Sequence, residues 1–185
     1  MKLAVKQRVG EKKKDVKDIR REGNIPAIIY SSKGQPEKLE VNGTEFQAVL
    51  RGLKSGQLPT TIFTLHDGKK ERRAIIKDIQ YHITSYVVTH IDFEELVDGV
   101  PVCVKVPVNC TGAAECMGIK LGGFLRQVVR HVKVECLPNH IPAEFIVDVR
   151  DLGIRQSKRM RDVALPTGVR AIARPEEVLV VIAKR

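Results

Sequence analysis

Thr60-Thr61-Ile62-Phe63-Thr64-Leu65, then His66-Asp67-Gly68, then Arg73-Ala74-Ile75-Ile76-Lys77-Asp78-Ile79-Gln80 reads as strand, turn and strand. Both flanks are rich in β-branched residues, whose stiff side chains pack well on a pleated surface, and Asp-Gly is a hairpin turn signal. The same pattern extends outward. Ala27-Ile28-Ile29-Tyr30 is a short buried strand, Leu39-Glu40-Val41 alternates, and residues 86–93 form a further strand. Residues 44–52 interrupt the series with a short helix, for which Thr44 is the expected N-cap, Glu45 suits the positive helix start and Gly52 is the stop. Residues 12–23 read as a helical turn. Val16 and Ile19 share one face, Gly23 ends the turn, and Asn24-Ile25-Pro26 forces extended backbone.

The composition shifts after Phe93-Glu94-Glu95-Leu96. Val100-Pro101-Val102-Cys103-Val104-Lys105-Val106-Pro107-Val108 alternates valine with other residues, a strand with prolines expected at its margins. Residues 112–123 hold four glycines and read as a loop. Residues 124–136 fit either a helix, through Leu125, Val128, Val129 and Val132, or a strand, through Val132, Val134 and Cys136. Phe145-Ile146-Val147-Asp148-Val149 and Val178-Leu179-Val180-Val181-Ile182-Ala183 are strands, with a turn at Leu165-Pro166-Thr167-Gly168-Val169. Many short strands and frequent turns give a mainly β chain with short helices. The expected domains are residues 1–95 and 96–185.

The chain has 185 residues, a net charge of +10, 43% hydrophobic and only 4% aromatic side chains, so its cores rest on Val, Ile, Leu and Ala. Residues 1–94 carry 18 basic and 12 acidic side chains, and the 9 basic and 3 acidic ones of residues 1–21 account for that entire excess. Such a concentrated field favours a polyanionic partner, foremost nucleic acid. After Met1-Lys2, the apolar run Leu3-Ala4-Val5 ends at Lys6, too short for a secretory core. No stretch approaches the ~18 apolar residues of a membrane span, so a cytoplasmic protein without membrane contact is expected. Cys103, Cys110, Cys116 and Cys136 lack the short spacing of a zinc knuckle or a redox dithiol, and they are expected to be reduced thiols with no metal and no other cofactor.

Catalytic signatures are largely missing. No nucleotide-cradling glycine loop precedes a Lys-Ser/Thr pair, and no serine elbow occurs. His82, His90 and Asp92 are the exception. His90 and Asp92 lie two apart on one strand face, where they fit a base and its orienter, a pair of metal ligands, or a polar surface reaching RNA 2′-hydroxyls and base edges. Contact with RNA ranks first, a structural histidine second and catalysis third, because no Ser or Cys nearby is an obvious nucleophile. Arg8, Lys12, Lys13, Lys14, Lys17, Arg20 and Arg21 are candidates to meet phosphates, Arg8 and Arg20 by forked hydrogen bonds and the lysines as mobile point charges.

Two ordered blocks carry a resemblance. Asp18-Ile19-Arg20-Arg21-Glu22-Gly23-Asn24-Ile25-Pro26-Ala27-Ile28-Ile29-Tyr30 closely resembles the signature of the bacterial 5S-rRNA-binding large-subunit ribosomal protein. Lys77-Asp78-Ile79-Gln80-Tyr81-His82, followed by Thr89-His90-Ile91-Asp92-Phe93, resembles its second signature. Gly122-Gly123, Leu137-Pro138, Ile141-Pro142, Val147-Asp148-Val149 and Leu165-Pro166-Thr167-Gly168-Val169 resemble the extra β domain of the longer, two-domain CTC (general stress protein) form. The resemblance implies an N-terminal β-barrel that binds the loop E region of 5S rRNA, followed by a second, mostly β domain. It implies a structural, non-enzymatic role as a monomer within the large ribosomal subunit, with neighbouring ribosomal proteins as possible partners of the C-terminal domain. Arg8, Lys13, Lys17, Arg20, Tyr30, Gln80, Tyr81, His90 and Asp92 map onto RNA-contacting positions, and Lys14, Arg21 and His82 adjoin them. Departures from the family pattern are Glu11-Lys12-Lys13-Lys14 in place of a Gly-Lys-Gly turn, Asp18 where a basic residue is common, Ser31 for glycine and Ile83 for proline. The alternatives to this reading are an enzyme built on His82, His90 and Asp92, and a stress-related interaction protein whose C-terminal half binds another protein.

Overall fold

The computed structural model describes residues 1–8, 13–31, 34–68 and 70–184. Contacts divide the chain into Met1–Val100 and Pro101–Arg185. In chain order the first unit runs β1 (Lys2–Gln7), α1 (Lys13–Arg21), β2 (Ile25–Tyr30), β3 (Glu37–Val41), α2 (Gly43–Gly52), β4 (Ile62–His66), β5 (Glu71–Tyr81) and β6 (Val88–Glu95). The strands close into a barrel in the order β1-β3-β2-β6-β5-β4, with β1 returning parallel to β4. The hairpin read from the sequence is the antiparallel β4–β5 pair, with Ile62 opposite Ile75 and His66 opposite Glu71.

Alternation decides which side chains enter the barrel. Leu3, Val5, Ile25, Ala27, Ile29, Leu39, Val41, Leu65, Ala74, Ile76, Ile91 and Phe93 point inward and are buried, together with Phe46 from α2. Phe46, Phe63 and Phe93, three of the five phenylalanines in the chain, are each 0% exposed. Phe63 and Phe93 meet edge to face at 6.3 Å between centroids, an arrangement worth about 0.5–1.5 kcal/mol beyond the area it buries. Three of the eight aromatic side chains thus lie in one core.

Two local expectations need correction. Asn42, not Thr44, caps α2: its Oδ1 accepts from the backbone N–H of Thr44 at 3.0 Å and of Glu45 at 3.2 Å. The helix starts earlier than its apolar pattern suggested because the Asn side chain satisfies the free N–H groups from outside that pattern. Tyr86 and Val87 belong to a turn rather than to the strand. His82 N–H donates to Val87 O, Tyr86 N–H donates to His82 O, and Tyr86 adopts a left-handed φ of 54°. One close approach requires glycine. A Cβ at Gly43 would lie 2.1 Å from the carbonyl oxygen of Gly23, so the start of α2 packs directly on the turn that follows α1.

The second unit contains β7 (Val102–Thr111), α3 (Met117–Lys120), β8 (Gly123–Gln127), β9 (His131–Cys136), β10 (Phe145–Asp148), β11 (Ser157–Arg159), β12 (Val169–Ala171) and β13 (Val178–Lys184). A four-stranded sheet has the order β10-β7-β9-β12 and a three-stranded sheet the order β11-β13-β8. Gln127 Nε2 joins the two by donating to Val108 O at 2.7 Å. The alternating valines of β7 and β9 face inward, with Val102, Val104, Val106, Val132 and Val134 buried. Residues 124–136 are therefore two strands and not a helix, since β8 pairs with β13 and β9 with β7. The glycine-rich stretch is partly ordered into a 3-10 turn at Ala113–Glu115 and the short α3. Pro107 lies inside β7 rather than at its end. It is tolerated because β7 changes partner there, pairing with β9 through Pro107 and with β10 from Val108 onward.

Candidate nucleic-acid interface

The strand period places the candidate residues of the barrel before any ligand is considered. In β6, Ile91 and Phe93 turn inward, so His90, Asp92 and Glu94 turn outward. Gln80 of β5 stands opposite His90, and Asp78 opposite Asp92. On the other side, the parallel pairing of β2 brings Ile28 beside Asp92 and Tyr30 beside Glu94. Tyr30, Gln80, His90 and Asp92 thus share one outer patch across three adjacent strands. The β5–β6 register shifts between Ile76 and Asp78, a bulge of the kind that re-aims side chains, and Lys77 Nζ there meets Glu94 Oε2 at 2.6 Å.

This patch carries more negative charge than the sequence reading anticipated. Asp78 and Asp92 are direct cross-strand neighbours, a like-charge arrangement that costs stability. His90 Nδ1 lies 2.8 Å from Asp92 Oδ1 without the alignment of a hydrogen bond, and this buried nitrogen has no hydrogen-bond partner among the described residues. Partial burial, reinforced by Glu94, Asp92 and Asp78, pushes the Tyr30 phenol above its ordinary value. Tyr30 is therefore a protonated donor throughout the neutral range. The patch offers a phenol donor, an amide, an imidazole and carboxylate acceptors, a set suited to directed hydrogen bonds with 2′-hydroxyls and base amino groups.

The basic residues do not all do the same work. Arg20 turns its fork onto the protein itself: Nε and Nη2 donate to Thr89 O at 3.1 and 2.9 Å. That clamp ties α1 to the start of β6, next to His90, and Nη1 meets no acceptor among the described residues. Thr89 Oγ1 donates to Gln80 O at 3.1 Å and links the same point to β5. The sequence reading missed Thr89, because a backbone carbonyl accepting from a distant arginine leaves no side-chain signal. Arg21 pairs with Asp18 at 3.4 Å, and Lys14 and Lys17 are exposed. Arg8 N–H extends the β1–β3 ladder by donating to Lys38 O at 2.9 Å, while its buried Nε meets no acceptor among the described residues. Lys12 and the side chain of Lys13 lie outside the described residues.

His82 and Tyr81 stand apart from the patch. His82 Nδ1 accepts from Ser85 N–H at 3.4 Å and lies 3.0 Å from Ser85 Oγ, so its ring buttresses the turn between β5 and β6. It also lines a groove of about 280 Å³ with Arg20, Asn24, Gln47, Ser85 and Thr89. Tyr81 is exposed beside α2, in a second groove with Gln47, Leu50 and Arg51. The enzymatic reading required His82 to act with His90 and Asp92. Instead, the contacts of His82 are those of a turn.

Residues 3–93 match the family model described as the ribosomal L25p family, and residues 101–185 match that of ribosomal protein TL5, C-terminal domain. Among curated proteins, the chain is 43% identical over 185 residues to the large ribosomal subunit protein bL25 of Chlamydia trachomatis serovar L2, with all of both chains covered. It is 43% identical to that of Chlamydia abortus and 42% identical to that of Chlamydia caviae, again over the full length of both chains.

Proposed function

From the premise that the chain belongs to the bL25 family of large ribosomal subunit proteins, in its longer two-domain form, and is not an enzyme, we propose that it binds the loop E region of 5S rRNA through its N-terminal unit. Tyr30, Gln80, His90 and Asp92 meet the wide minor groove, and Lys13, Lys14, Lys17, Arg21, Arg8 and Nη1 of Arg20 meet phosphates. Tyr81 and His82 form the margin of this surface. The observation that carries the reading is the convergence of four hydrogen-bonding side chains from β2, β5 and β6 on one outer patch, with α1 clamped beside it through Arg20. Duplex RNA is recognised largely through 2′-hydroxyls, phosphates and shape, which a rigid barrel face flanked by cations fits. The acidic pair supports specificity over affinity, since a carboxylate is costly near phosphates unless it accepts a directed hydrogen bond. We further assign each of the two units its own fold, with RNA recognition of loop E confined to residues 1–100.

Substitution of Asp92 tests this. Asp92→Ala weakens binding to a loop E fragment by about 1–3 kcal/mol, the scale of a directed base contact, and leaves binding to an unrelated RNA unchanged or slightly tighter. His90→Ala behaves in the same way. Equal losses on both RNAs at unchanged melting temperature remove the support for a reading face. Binding confined to a fragment of residues 101–185 removes the proposal altogether.

A further inference from the structure

The C-terminal unit has a charged face of its own. Residues 101–185 carry 14 basic and 8 acidic side chains, an excess of +6, against +4 for residues 1–100. In the four-stranded sheet, the valines of β7 and β9 point into the core, so Lys105 of β7 and His131 and Lys133 of β9 turn outward, with Cys103 and Glu135 half-buried and Pro107 buried. Cross-strand pairing arranges that surface in rows. Lys105 stands directly opposite Lys133, Pro107 opposite His131, and Cys103 opposite Glu135, which in turn pairs with Arg170 of β12. Lys105, Lys133, His131 and Arg170 are all exposed.

Two lysines directly opposite on an antiparallel ladder repel each other and destabilise the pair. Neither Lys105 nor Lys133 meets a carboxylate among the described residues, although ion pairs are frequent elsewhere in this unit, as in Arg150 with Asp148 and Arg161 with Glu176. Glu135 lies in the next row, opposite Arg170, and Glu177 lies farther along a groove of about 280 Å³ that begins at His131 and Lys133. An anion that bridges the two ammonium groups relieves this repulsion. A phosphate is such an anion, and the exposure of both lysines lets a phosphate backbone reach them.

We propose that the outer face of this sheet, centred on Lys105 and Lys133 with Arg170 and His131 at its sides, is a second RNA-binding surface that holds phosphates without reading sequence. It is independent of the loop E site and extends the contacts of the chain to a second stretch of RNA. Phosphate contacts of this kind position a protein on its RNA and carry no direct sequence information.

The test uses the full-length chain, a perfectly paired RNA duplex of about 20 base pairs and a 5S loop E fragment, titrated from about 50 to about 200 mM salt. Lys105→Ala with Lys133→Ala should weaken duplex binding about tenfold at the low-salt end and flatten the log–log salt slope by about 1–2, the contribution of two phosphates. Lys133→Arg should retain duplex binding. Lys133→Glu should raise the melting temperature, because a like-charge pair becomes an opposite-charge pair, and should also lose duplex binding. This gain in stability with loss of binding is something a purely structural role would not produce. In a background of Lys14→Ala with Lys17→Ala, which weakens the loop E site, loss of Lys105 and Lys133 should still remove about 1–2 from the duplex salt slope, so failure at the loop E site and failure here are separately visible. An unchanged salt slope in the double variant overturns the proposal. So does a loss of binding to a poly-glutamate peptide with duplex binding retained, which would assign the face to an acidic protein segment instead.

Discussion

Arg20→Lys keeps the charge of this position and removes its fork, which separates positioning from phosphate contact. In the structure, Nε and Nη2 both donate to Thr89 O, at 3.1 and 2.9 Å. Hydrogen bonds from charged donors are worth about 1.5–3 kcal/mol in protected sites, but this one is solvent-exposed, so the pair together is expected to contribute about 1 kcal/mol. For a unit of 100 residues, that corresponds to a fall in melting temperature of about 4–8 °C. Other ties of α1 include the buried Ile19 and the Asn24 N–H bond to Ile19 O at 3.0 Å. A loosened helix would carry Lys14, Lys17 and Arg21 away from their places beside the reading face. Thermal denaturation and loop E affinity, measured on the same samples, should therefore fall together in Arg20→Lys, while Arg20→Ala falls slightly further. In the Arg20→Lys background, Lys17→Ala should cost less affinity than it does in the wild type, because the helix no longer presents Lys17 at a fixed place. If Arg20→Lys matches the wild type in both melting temperature and affinity, the fork onto Thr89 has no positioning role and the argument is refuted.

Two further substitutions probe the frame. Gly43→Ala places a Cβ 2.1 Å from the Gly23 carbonyl oxygen and should cost about 1–3 kcal/mol by forcing α2 away from the turn after α1, visible as a lower denaturation midpoint. In the second unit, hydrogen bonds from the side chain and backbone of Arg150 hold the Asp148 carboxyl at about 2. The folded value lies below the unfolded one, so the associated stability is present above the ordinary value of 3.8 and disappears as pH falls through about 2. Acid unfolding monitored by circular dichroism should show Asp148→Asn losing the part of its pH dependence that falls in that window. An identical acid limb in the two proteins would contradict the assignment.

Much of this organisation is legible in local sequence. Alternation in Leu39-Glu40-Val41 and in the valines of β7, together with the Asp67-Gly68 turn signal, depends on a period of two that holds whatever the partner strand is. The same period placed His90 and Asp92 on one face. It did not reveal Asp78 opposite Asp92, because cross-strand register depends on the bulge at Lys77. Nor could it separate the two readings of residues 124–136, since Val132 suits both periods and only pairing with β7 and β13 selects the strands.

The sequence alone determined the class of fold, the basic character of the chain and the side chains available for recognition, because composition and short-range periodicity are properties of the chain before it folds. Only the tertiary structure decided what those side chains do. Arg20 and Thr89 are 69 residues apart, and their contact exists because barrel closure brings α1 against the start of β6. Lys105 and Lys133 become a repelling pair only when β7 and β9 align in one register. Charge is local to a residue, but its energetic consequence depends on which distant groups the fold brings within a few ångströms.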